Sequence, residues 1–162
     1  MNEHSERATR RLRGAIQLVA RTYPDGALTM GRLAKILFLA DWYAVRDTGS
    51  SVTELQWLFD ERGPSAQELE AIVADVTRFR IVVSENRYGH LAHIIEAIDA
   101  LDVIAMPYNV WSAIGKAVNL AATAPWPVFL ATVLETPPLA TAGFGEEVNP
   151  ISFRKLLLSG AA

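Results

Sequence analysis

The side chains able to do chemistry in this 162-residue chain are few in kind: three histidines, eighteen carboxylates, fifteen Lys or Arg, and no cysteine. The missing thiols exclude disulfides, thiolate metal sites and cysteine nucleophiles. His90 and His93 fall where a second hairpin strand is expected, and an i, i+3 pair there points to opposite faces. Such a pair is badly placed to share a metal, so each reads as structural or surface. His4 sits in an N-terminal segment expected to fray. Six carboxylates lie between Glu54 and Asp75 against Arg62 alone, which could mean acid–base or Mg²⁺ chemistry. They are spread over a strand, a loop and a helix, so a solvated acidic face is the expectation. Gly143-Phe144-Gly145 has no following helix placed to receive a phosphate, and no H-E-x-x-H, P-loop, G-x-G-x-x-G or G-x-S-x-G motif occurs. Neither a metal nor a cofactor is expected.

The elements that would position these residues are read from periodicity. Leu12, Ile16, Val19 and Ala20 predict a helix from about Ser5 to Arg21, and Pro24-Asp25-Gly26 a turn. Thr29 is a fitting N-cap for a second helix whose Leu33, Ile36, Leu37, Ala40, Trp42, Tyr43 and Ala44 are apolar on several sides. Gly49 marks its end. That breadth predicts a central helix. Ser51 to Phe59 reads as a short strand stopped by Gly63-Pro64, and Ser65 with Glu68 as a capping box opening a third helix with Leu69, Ile72, Val73 and Val76 inward. Ile81-Val82-Val83, the turn Asn86 to Gly89, and Leu91 to Ile95 predict a β-hairpin. Further helices are expected after Pro107, between Trp126 and Glu135 with Pro137-Pro138 ending it, and from Asn149-Pro150 onward; Ala140 to Glu147 reads as loop. The fold class is α+β, predominantly helical, in a single domain with a central buried helix and a small hairpin or strand element.

Composition narrows the classes further. The chain is 51% hydrophobic and 20% charged, with a net charge of −3 and no overall basic field to draw nucleic acid. The longest stretch without Asp, Glu, Lys or Arg is the 18 residues from Ala117 to Leu134, broken by Pro125 and Pro127. A membrane span is not expected, and neither is a signal peptide, since the arginine-rich start lacks an apolar h-region. The expected location is the cytoplasm. The helix, helix, hairpin order also suits a winged-helix DNA-binding regulator with Asn86 to Gly89 as the wing tip. Its wing would have Arg87 as its single basic residue, behind an acidic helix, whereas DNA readers present Arg and Lys.

Leu33-Ala34-Lys35-Ile36-Leu37-Phe38-Leu39-Ala40-Asp41-Trp42-Tyr43 and Thr48-Gly49 resemble the K-L-L-Y helix and its glycine in the Panacea (SocA-like) antitoxin domain. Leu55 to Phe59, Arg62-Gly63-Pro64 and Val133 to Leu139 resemble its following strand, its Gly-Pro and a late threonine-proline segment. The family pattern residues here are Lys35, Leu37, Phe38, Ala40, Tyr43, Gly49, Trp57, Gly63 and Pro64. Asp60-Glu61-Arg62 and Ser65 depart from the pattern, and the family's late His-containing segment is not evident. The resemblance places the Panacea-like part at residues 29–139, preceded by a helix and turn at 1–28 and followed by a loop and helix of the same domain at 140–162.

That resemblance implies a non-enzymatic antitoxin of a bacterial or prophage toxin–antitoxin system. It would neutralise a cognate protein toxin, small alarmone synthetases being one kind, by direct binding. Some members are adaptors to an ATP-dependent protease. An apolar face would equally serve a homo-oligomer. Interface centres favour Trp, Tyr and Phe, so Tyr108, Trp111, Trp126 and Phe129, with the Pro137-Pro138 loop, are the candidate toxin-binding residues. Trp42 and Trp57 are expected in the core, and Trp126, between prolines, suits core and interface equally. Ser159 to Ala162 ends in small apolar residues, as a tail read by an unfoldase would, although a frayed helix end explains it more simply.

Overall fold

The computed structural model describes residues 2–24, 26–98 and 106–160. The fold is α+β and predominantly helical, arranged around one central helix. Helix α1, Glu3–Thr22, is capped by Asn2, whose side chain accepts the Ser5 N–H, and buries Leu12, Ala15, Ile16 and Val19 on one face. Helix α2, Met30–Thr48, begins at Thr29, whose hydroxyl accepts the Arg32 N–H. It ends at Gly49 with φ at 82°, a left-handed conformation that a side chain would strain. Every residue from Leu33 to Trp42 is buried, including Lys35 and Asp41. A fully buried leucine or phenylalanine stabilises by about 1.5–3 kcal/mol. This run is therefore the main anchor of the fold.

After α2 the chain does not enter a strand at Ser51 as its alternation suggests. Residues 51–56 form a loop, and strand β1 is Trp57–Asp60. Gly63-Pro64 does not stop the sheet either. It lies in strand β2, Gly63–Ser65, which pairs antiparallel with β1 in the register Phe59 to Pro64. An edge strand tolerates proline because its outward side needs no donor. The expected capping box is absent. Ser65 ends β2 with its hydroxyl toward the Leu58 carbonyl at 3.5 Å, and helix α3, Gln67–Val73, starts behind Ala66 with no side-chain cap. Leu69 and Val73 are buried, while Val76 lies beyond the helix end and is exposed.

Strands β3, Phe79–Glu85, and β4, Leu91–Ala97, form the expected hairpin in the register Phe79 to Ala97 through Glu85 to Leu91. Its base is held by Phe79, Ile94 and Ile95, with Ile81 exposed opposite Ile95; its outer half leaves Val83 and Leu91 exposed. Helix α4, Tyr108–Thr123, packs on α2 through Val110, Ala113, Ile114, Ala117, Val118 and Ala121. Helix α5, Trp126–Leu134, follows at once, and Pro137-Pro138 opens the short helix α6, Pro137–Ala140, rather than simply ending α5. The region after α6 is not all loop. Strand β5, Glu147–Val148, adds to the free side of β1 in the register Trp57 to Val148, giving the order β2-β1-β5. Helix α7, Pro150–Ser159, is capped by Asn149 and sets Phe153 edge-on against Trp42 at 6.1 Å between ring centroids. Among the described residues, no helix is long and apolar enough to cross a membrane. Asp25, Val103 and the Ala161-Ala162 tail lie outside the described residues.

Candidate protein-interaction site

The six residues expected to bind a partner do not form one patch. Tyr108 and Trp111 occupy the first turn of α4, 86% and 37% exposed, on a face continued by Gly115 and Asn119. Three- and four-residue spacing puts these four side by side, so the outer face of α4 is aromatic and uncharged apart from the neighbouring Lys116. Trp126 stands beyond the other end of that helix, at the start of α5. It is half-buried. Phe129 is fully buried and packs on Trp126 at 5.5 Å, so its ring belongs to the core. Pro138 is buried as well, leaving Pro137 as the exposed member of the pair. The reason is helical spacing. Trp126, Phe129 and Val133 share one face of α5, and that face turns inward from the half-covered Trp126 to the buried Val133.

Trp126 instead completes a second group at the N-terminal end of α2. The Arg32 guanidinium lies over its ring at 4.5 Å from the centroid and donates to the Tyr23 hydroxyl at 2.6 Å. Lys35, one turn further along α2 on the same side, places its ammonium 6.0 Å from the same ring. Lys35 is only 7% exposed. Its ammonium donates one long hydrogen bond, 3.4 Å, to the Gly31 carbonyl of its own helix. Glycines border it on two sides: a Cβ at Gly63 would lie 3.5 Å from Lys35 Cε, and one at Gly31 would lie 3.8 Å from its Nζ. Burial lowers the Lys35 pKa from its ordinary 10.5; Asp60 opposes that and Arg62 adds to it. Asp60 nevertheless makes no ion pair with Lys35, and its carboxylate accepts the Arg62 N–H at 2.7 Å. Thus Lys35 meets Gly63 on one side and the Trp126 ring on another.

The other buried charge of α2 went unseen in the sequence. Asp41, 1% exposed, accepts the backbone N–H groups of Val52 and Thr53 at 2.9 Å each on Oδ1. Its Oδ2 accepts the Thr53 hydroxyl and, at 2.8 Å, the Trp57 indole N–H. Burial pushes the carboxyl pKa up, and the Thr53 and Trp57 donors pull it back. This carboxylate is what bends residues 51–56 out of strand geometry and delivers Trp57 edge-on to Phe38, 5.4 Å between centroids. The sequence signal was available: a carboxylate inside a long apolar run, followed ten and twelve residues on by Ser51 and Thr53. Among the described residues no cluster of three His, Asp or Glu could hold a metal. His93 lies exposed in β4, and His90 falls just before it, in the turn. No family model matches the chain, and no curated protein or solved structure does so either.

Proposed function

We propose that the chain is an antitoxin that neutralises a cognate protein toxin by direct binding, as in the Panacea proteins it resembles, and that it works in the cytoplasm. The observation that supports this reading is the outer face of α4. Tyr108 and Trp111 stand in solvent on a regular, uncharged helix surface, and large aromatics so placed are the residue types that anchor protein interfaces. The helix before the hairpin speaks against the DNA-binding alternative. Its exposed residues include Glu68 and Glu70, a poor surface to lay along phosphates. The test is co-expression with the product of a neighbouring toxic open reading frame. The wild-type chain should restore growth, and Tyr108→Ala with Trp111→Ala should lower that protection at least ten-fold while leaving the thermal midpoint within a few degrees. Full protection by the double variant would remove the α4 face from the interface. Salt-sensitive retention on DNA in place of toxin binding would favour the regulator.

A further inference from the structure

We infer that the corner between α2 and α5 is a carboxylate-binding site, whose occupant is an acidic side chain of the protein partner seated on Lys35 and Arg32 beside the Trp126 ring. This rests on the reading of the chain as a protein-binding module, and it names the partner's chemistry. The first ground is Lys35. An ammonium partly withdrawn from water loses hydration that one 3.4 Å bond to a carbonyl does not replace. Among the described residues no carboxylate pairs with it, with Arg32 or with Arg62. The second ground is shape. Gly31 is exposed and has no side chain to cover the ammonium, and Arg32 is already held in place by the Tyr23 hydroxyl and the indole face. A carboxylate entering there meets two oriented cations, the arrangement that favours charge-assisted hydrogen bonds. The third ground is charge. Arg32 and Lys35 meet beside the Trp126 ring and Arg62 also acts on Lys35, against Asp60, so the corner keeps a positive excess that acidic side chains would balance.

The experiment titrates the purified full chain, by calorimetry, with capped hexaglutamate, with hexalysine and with inorganic phosphate. Hexaglutamate should bind, and Lys35→Met and Arg32→Gln should each weaken it about ten-fold, as expected for losing a hydrogen bond to a charged group. Any heat with hexalysine should be the same in wild type and both variants. Thermal melts of both variants check that they fold. Equal hexaglutamate affinity in wild type and both folded variants would overturn the site, as would no binding by wild type. Phosphate binding more tightly than hexaglutamate would overturn the carboxylate occupant. Co-expression separates the two readings. Lys35→Met that loses hexaglutamate yet protects fully against the toxin overturns the partner's acidic contact, whereas Lys35-dependent hexaglutamate binding in a chain that rescues no toxin supports the site and counts against the antitoxin alone.

Discussion

Lys35 and Asp41 sit less than two turns apart on the same buried helix, yet they are opposite cases. Asp41 is surrounded by donors; Lys35 is left with a single long bond. Asp41→Asn would turn an amide N–H₂ toward donors and should cost about 3 kcal/mol, measured by urea unfolding. Lys35→Met removes a desolvated charge and should stabilise by about 1 kcal/mol at neutral pH. The sign of its pH dependence follows from the lowered pKa. Between the folded value and the ordinary 10.5, the unfolded chain holds a proton that the folded chain has released, so stability rises with pH across that window. Melts of the wild type should gain stability relative to Lys35→Met as pH climbs toward 10.5. A parallel pair of curves would show that Lys35 is not desolvated.

At the scale of elements, the caps were legible because each is a local pattern. Thr29, Gly49, Asn149 and the hairpin turn need only a few neighbouring residues to be recognised, and all four stand where expected. What failed to be legible depends on residues far apart in the chain. The Ser65–Glu68 pattern has the right spacing for a cap, but pairing with β1 takes Ser65 into a strand first. Ser51 to Phe59 alternates like a strand, but Asp41 claims its backbone N–H groups. The partner-binding list erred in the same way: aromatic type picked out Phe129, and only the packing of α5 shows that it faces in. Two helix ends offer tests. Asn149→Ala removes the acceptor for the Ile151 and Ser152 N–H groups and should cost about 1 kcal/mol, with faster amide exchange confined to α7. Gly49→Ala should cost about 1 kcal/mol for its left-handed backbone; the Arg154 guanidinium, 2.9 Å from the new Cβ, ends a flexible side chain and can swing aside.

For the whole molecule, α2 is the element that α1, α4, α5, α7 and the β2 strand all touch. Amide exchange should therefore be slowest from Leu33 to Trp42, through global unfolding alone. It should be fast in the outer hairpin around Val83 and Leu91, which rests on little besides its own pairing. The apolar excess of the sequence divides accordingly: most of it surrounds α2, and a smaller share remains outside on α4 and the hairpin. The sheet has a different kind of consequence. β1 lies between β2, its immediate neighbour in sequence, and β5, which is nearly the last element of the chain. A ribosome delivers Trp57 early and Val148 late. Domains that fold during synthesis close only the contacts already outside the exit tunnel. From the synthesis of β2 until that of β5, then, the nascent chain carries β1 with one bare edge, the feature that invites wrong pairing. Correct assembly waits on the arrival of two residues, Glu147 and Val148.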